Sequence, residues 1–293
     1  MTQFQLLDPR LEPYGHETNQ QRIDALKKKS IVLPRPRSSR NPGLSIIVLN
    51  LDKPELVRQL WAGFMDVAKN FESLEISLEL LVGDTGSTDP TTLGLLQAPP
   101  ENCRVFFDCK YHFSELNNRL ADLTQYNTVL FLNNDVLISE NSSSISDAYM
   151  YLSQNSRIAV IGAVLLFPDG TVQHEGIDFL SSPENFGLPY HPNAHRLPDR
   201  EYGVVRDVLA VTGAFMMVRS APFNNVGGFD EAFEAECQDV DLCLKIARLG
   251  LNICVIDFGR LVHLENATRP KGHEDWKDRS LFLRRWSSYI EAQ

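Results

Sequence analysis

The sequence predicts an α/β fold built on a mostly parallel sheet. Two observations carry that expectation. Between residues 44 and 132, continuous apolar runs rich in β-branched residues alternate with segments whose apolar residues recur at helical spacing, the pattern of βαβ units. Three of the runs end in polar residues, Asn50, Asp84 and Asn133-Asn134-Asp135, and sheets of this kind bind ligands beyond the carboxyl ends of their strands.

Residues 1–41 lack sustained periodicity and close on KKKSIVLPRPRSSRNPG, so they read as an extension or linker. The run LSIIVLN suits a strand buried on both faces. A helix follows it, with Asp52 as cap, Pro54 in the first turn, and Leu56, Leu60, Phe64 and Val67 along one face. LELLVGD is a second strand running into the turn Gly86-Ser87-Thr88-Asp89-Pro90. A third strand is expected at 104–108, a helix at 114–123 and a fourth strand at 128–132. The apolar run 158–167 ends in the tight turn Pro168-Asp169-Gly170. Residues 180–204 are rich in Pro, His and Asn without period, which marks a functional or mobile loop. Order resumes with VLAVTGAFMMV. A helix over 239–249 then presents Val240, Cys243, Leu244 and Ala247 on one face and stops at Gly250. Phe282, Arg285, Trp286 and Tyr289 share helical spacing near the end.

With 43% hydrophobic and 9% aromatic residues, the chain can bury enough surface to offset its conformational entropy. The 28 basic against 38 acidic side chains leave a net charge of −10, which disfavours nucleic acid as a partner. The charge is unevenly spread. Residues 1–40 hold eight basic and four acidic side chains and residues 269–293 six and four, which leaves 14 against 30 in the body. Five cysteines (103, 109, 237, 243, 254), odd in number and without a C-x-x-C pair, indicate reduced core thiols. The absence of a signal-like stretch and of any apolar run of membrane length makes a cytoplasmic protein the expectation. The basic ends, residues 27–40 and Arg284-Arg285, are either solvated or a peripheral contact with an anionic inner membrane face.

Three segments carry chemistry. In LVGDTGSTD, Asp84 either holds a base or ribose or satisfies its own turn. In VLFLNNDVLIS, Asp135 is either a hard oxygen donor for a divalent cation or a cap. In GGFDEAFEAECQDVDLCLKIARLG, Asp239 and Asp241 are two positions apart on a helix and so point in different directions, with separate jobs, and Asp239 either carries chemistry or caps the helix. Neither a dinucleotide fingerprint nor a Walker A loop is present.

Taken in order, SIIVLNLDKPELV, VGDTGSTDP, FSELNNRL, VLFLNNDVLI, LLFPDGTVQHEG, VTGAFMMVRS, VGGFDEAF, QDVDLCLKIARLG and HLENATR resemble the inverting glycosyltransferases of family 2. The likeness is strongest to the rhamnosyltransferase-like branch that acts on bacterial O-antigens and polysaccharides, and it covers residues 44–269. It implies a Rossmann-like GT-A fold over 42–268, with helices on both faces of a mostly parallel sheet, a small antiparallel acceptor-side element, and a helical tail over 269–293. It further implies a UDP-, dTDP- or GDP-sugar donor, a glycan or lipid-linked saccharide acceptor, and Mn²⁺ or Mg²⁺ as cofactor. Carried over by position, Asp239 falls at the catalytic base and Asp135 and His263 at the metal. Asn50, Asp52, Asp84, Asn117, Asn133, Asn134 and Arg269 fall on the donor nucleotide. His174, Glu175, Thr212, Gly213, Gln238 and Asp241 fall on the donor-sugar or acceptor side. Three positions depart from the family pattern. NND offers one carboxylate where relatives often have two, Gln238 replaces a Glu, and Leu51 stands where an aromatic is common. A noncatalytic nucleotide-sugar or glycan-binding module is the alternative reading.

Overall fold

In a computed structural model, which describes residues 40–198, 202–265 and 276–291, the first apolar run forms β1 (Asn41–Asn50) inside an eight-stranded sheet. Leu44, Ile46 and Val48 of β1 enter one core and Ile47 the other. The run has no polar face because neither side of the strand meets water. β2 (Leu78–Asp84) and β4 (Tyr126–Asn133) flank β1 and divide their side chains the same way.

The sheet runs β10 (Val205–Asp207), β12 (Asn252–Ile256), β5 (Ile158–Ala163), β11 (Phe215–Arg219), β4, β1, β2, β3 (Cys103–Phe106). β11 is antiparallel to both β4 and β5, and β10 to β12; every other pairing is parallel. One face is covered by α1 (Pro54–Ser73), α2 (Pro90–Leu96) and α4 (Ser143–Gln154), through residues such as Phe64, Leu96 and Ile145. The other is covered by α3 (Phe113–Asp122), α5 (Ser220–Asn225), α6 (Gln238–Ala247) and α7 (Trp276–Glu291), through Leu116, Phe223, Leu244 and Phe282. The expected α/β architecture with helices on both faces is therefore present. Two small antiparallel pairs, β6 (Leu165–Leu166) with β7 (Val172–His174) and β8 (Asp178–Phe179) with β9 (Pro189–Tyr190), stand apart from the main sheet.

Several local expectations are corrected. Asp52 does not cap α1. Lys53 takes that place in a left-handed conformation without a side-chain cap bond. A cap contributes about 1 kcal/mol, whereas each large side chain that α1 buries is worth roughly 1.5–3 kcal/mol. Leu60, Phe64, Val67 and Phe71 hold α1 without the cap. The run 158–167 breaks at Val164 into β5 and β6. Only the last part of VLAVTGAFMMV is strand; the residues before it form an extended segment tied by a bridge between Ile177 and Ala210. Gly162 in β5 admits that segment, since a Cβ there would lie 2.6 Å from Val211. In the terminal helix, as its spacing suggests, Phe282, Trp286 and Ile290 pack, here into the same core as α6.

Of the described members of the basic ends, Arg40 and Arg285 make internal bonds, whereas Arg284 is exposed. Arg40 donates to Thr124 Oγ1 (2.6 Å) and Ala121 O (2.9 Å). Arg285 pairs with Asp230 and Asp241, at 2.7 Å each. Residues 27–39 lie outside the described residues. No described helix is long and apolar enough to cross a membrane.

Candidate active site

β1 turns to β2 on one side and to β4 on the other, so the crevice between their carboxyl ends is a topological switch point, the usual ligand position in such sheets. A cavity of about 440 Å³ opens there, lined by Asn50, Asn117, Asn133, Asn134, Asp135, Thr212, Gly213 and His263 among others. Eight of the residues expected in the site therefore meet on one surface.

On the β1–β2 side, polar groups organise the loops. Asp84 is buried and accepts from Ser87 N–H (3.0 Å), Gly86 N–H (3.3 Å) and Asn50 Nδ2 (3.2 Å). Asp84 thus satisfies its own turn and is not among the residues that line the cavity. Asn134 Nδ2 in turn donates to Asn50 Oδ1 (3.1 Å). Asp52 accepts from Thr88 and Asp89 N–H, both at 2.8 Å, and pins the loop after β1 to the loop after β2. Asn117 donates to Phe113 O (2.9 Å) while lining the cavity.

Beyond β4, Asp135 Oδ1 lies 3.0 Å from His263 Nε2. The bridge between Val136 and His263, and the bond from Leu264 N–H to Asp135 O (3.0 Å), bring the two together across 128 residues of sequence. Gln173 fixes the imidazole. Its Oε1 is 2.6 Å from His263 Nδ1, and its Nε2 donates to His263 O at 3.4 Å. That bond turns Nε2 toward the carboxylate, the ring orientation a metal-binding histidine needs. A hard oxygen and an imidazole nitrogen fit Mn²⁺ or Mg²⁺. They make only two protein ligands, however, and among the described residues no group of three or more His, Cys, Asp or Glu could hold a metal.

The third group is Asp239, in the first turn of α6. Its Oδ2 accepts the N–H of Gly213 (2.9 Å), which itself lines the cavity, and its Oδ1 accepts Val240 N–H (2.9 Å). Gly213 is required there. A Cβ would fall 2.9 Å from the Phe113 ring and 3.7 Å from Asp239 Cβ. Asn133 N–H donates to Ala214 O (3.0 Å), which joins the loop after β4 to the segment that holds Asp239.

His174 stands behind this segment rather than in the cavity, with Nε2 accepting Thr212 N–H (3.4 Å) and Nδ1 lying 2.9 Å from His191 Nδ1. In the neutral pair His174 carries its proton on Nδ1 and His191 accepts. Burial, and next the charge of His263, lowers the His191 pKa to about 4. The unfolded chain then takes up a proton between about pH 6.5 and pH 4 that the native chain does not, so stability falls as pH drops through that window. In urea denaturation, the wild type is expected to lose about 2 kcal/mol more than a His191→Gln variant between about pH 7.5 and pH 5; equal losses refute the assignment.

Other expected residues lie away from the cavity. Glu175 is buried against Arg206 (3.4 Å) and Asn193. Gln238 is buried at the start of α6, with Nε2 donating to Ala235 O (3.4 Å). Asp241 is fully buried and bound to Arg285 Nη1 (2.7 Å) and Trp286 Nε1 (2.9 Å), on the side of α6 opposed to the acceptor role expected of it. Arg269 lies outside the described residues. Sequence reasoning missed Tyr111, an exposed aromatic on the cavity wall, and Glu265, two residues after His263. It also missed Gln173, although Gln173 sits in the quoted motif LLFPDGTVQHEG one position before His174.

No protein-family model matches the chain. It is 32% identical over 237 residues, 78% of its length, to the O-antigen biosynthesis protein RfbC of Myxococcus xanthus. Over 51 residues, 17% of its length, it is 35% identical to the rhamnosyltransferase WbbL of Escherichia coli K12. The chain spans 18% and 19% of those two proteins. Its fold is similar to that of a mannosyltransferase from Pyrobaculum calidifontis, in complex with GDP-mannose and Mn²⁺, with a TM-score of 0.56, 13% identity, and coverage of 93% of this chain and 71% of the other. The chain is thus similar in sequence to proteins named for O-antigen biosynthesis and for rhamnosyl transfer, and in fold to a mannosyltransferase.

Proposed function

We propose that the chain transfers a sugar from a nucleoside diphosphate sugar to a hydroxyl of a glycan or lipid-linked saccharide, with inversion at the anomeric carbon. The observation that carries this reading is the meeting of the Asp135–His263 pair and the Gly213 N–H that holds Asp239 on one cavity at the switch point. In the step proposed, the acceptor oxygen attacks the anomeric carbon, the bond to the diphosphate oxygen breaks, and the hydroxyl proton passes to Asp239. A carboxylate base of this kind supplies about 10²- to 10⁴-fold. The Gly213 N–H orients that carboxylate, and Asn117, Asn133 and Asn134 offer amides to the donor. Asp135 and His263 would hold Mn²⁺ or Mg²⁺, which when bound neutralises charge developing on the leaving diphosphate.

The reading is tested with UDP-glucose, dTDP-rhamnose and GDP-mannose, each with Mn²⁺, Mg²⁺ or EDTA. One donor is expected to raise the unfolding temperature by about 5 °C at a hundred times its Kd, in metal only, and to release nucleoside diphosphate when acceptor is present. The noncatalytic binding module draws on the single carboxylate of NND; a donor that stabilises the fold and is never turned over favours it. No shift and no release with any of the three overturns both.

A further inference from the structure

We propose that Asp278, near the start of α7, is a positioning residue for Asp239. The inference rests on the reading of Asp239 as the base.

Asp278 is fully buried and accepts three consecutive backbone N–H groups: Glu234 at Oδ1 (3.1 Å), and Ala235 and Glu236 at Oδ2 (2.7 and 2.9 Å). Those residues form the turn from which the chain enters α6. The next residue, Cys237, has φ 66° and caps α6 in the left-handed region. A non-glycine residue persists there only where its surroundings over-determine it. Asp278 supplies that restraint on the side preceding Asp239. Flanking it, Arg279 Nε binds Glu236 (2.8 Å) and Lys277 pairs with Glu234.

The same helix also grips the chain after Asp239. Arg285 and Trp286 bind Asp241, which sits two positions past Asp239 and is fully buried. Asp239 is thus suspended between two anchors on α7, and its carboxylate meets Gly213 N–H on the far side. Loss of either anchor lets the first turn of α6 shift relative to the cavity. Displacement of a reacting group by about 1 Å costs on the order of 10²-fold in rate. The resemblance, which covers residues 44–269, assigned no site residue to α7.

The test compares Asp278→Asn, which keeps the side-chain shape but loses the charge and turns an N–H₂ toward the backbone donors. Amide exchange at Gly213, whose N–H donates to Asp239, is expected to quicken about tenfold, with the global unfolding transition still cooperative. Turnover, measured as nucleoside diphosphate release with the donor found active among UDP-glucose, dTDP-rhamnose and GDP-mannose, is expected to fall roughly 10- to 100-fold, with donor KM within about twofold. In an Asp239→Asn background the same change should cost less than about twofold, because residues acting as a unit are not additive. A folded Asp278→Asn variant with unchanged exchange at Gly213 and full turnover overturns the inference, as does an equal cost in both backgrounds. A fully active Asp239→Asn variant is a separate outcome that overturns the base reading and this inference with it. If Asp278→Asn does not fold, Arg279→Gln breaks only the adjoining pair with Glu236 and carries the same test; the same split is expected at about threefold, and its absence overturns the inference.

Discussion

Replacing Asp239 by Asn is expected to lower turnover by about 10²- to 10⁴-fold while donor affinity stays within about threefold. Asparagine has the volume of aspartate, and its Oδ1 can keep the Gly213 N–H bond (2.9 Å), giving up the bond that Val240 N–H makes to the other carboxylate oxygen (2.9 Å). The wall of the cavity, including the packing of Gly213 against Phe113, should therefore survive. What is lost is the lone pair basic enough to take a hydroxyl proton. The predicted signature is a fall in kcat with little change in donor Kd, and loss of the acidic limb of the pH–rate profile, since that limb reports protonation of the base. Turnover within about threefold of wild type would falsify the assignment. A fall in donor affinity as large as the fall in kcat would instead make Asp239 a donor-binding residue.

The positions of the groups behind that prediction were legible in unequal measure. β1, β2 and β4 could be read because burial on both faces removes the polar alternation that marks a solvated strand, and the polar residues at their ends announced the ligand edge. The antiparallel β11 between β4 and β5 was not legible. VLAVTGAFMMV is apolar throughout, and it becomes strand only after Gly213, where the chain must first pass under Phe113 and Asp239. Non-local partners caused the other misreadings. Asp52 resembles a cap in Asp-Lys-Pro, but its acceptors are used by Thr88 and Asp89 N–H groups. Asp239 and Asp241 could be told apart as pointing in different directions. Which of the two faces inward depended on Arg285 and Trp286, far along the chain. Asp84 left both ligand and turn open from sequence, and the turn bonds come from its own Gly86-Ser87 backbone.

Removing divalent metal is expected to abolish donor binding, and the charge of the cavity is the reason. The acidic body noted from sequence is mirrored in the lining, which holds Asp135 and Glu265 but no Lys or Arg among the described residues. A diphosphate entering such a cavity meets carboxylates without a described cation to offset them, so its charge must be matched by a bound ion. One variant gives opposite signs under the two conditions. With Mn²⁺ present, Asp135→Asn should weaken donor binding by more than about tenfold, because a ligand to the ion is gone. With EDTA present, the same change should leave donor binding unchanged or stronger, because one carboxylate has been removed from beside the diphosphate. Gln173→Leu tests the imidazole independently. Without the Oε1 that holds His263 Nδ1 at 2.6 Å, the ring loses its fixed orientation, and metal affinity should fall about 10- to 100-fold with the cavity otherwise intact. Calorimetric titration of the donor in Mn²⁺ and in EDTA decides the matter: wild-type affinity that is indifferent to EDTA would mean that the diphosphate is held without a cation, and the assignment of Asp135 and His263 to metal would then be wrong.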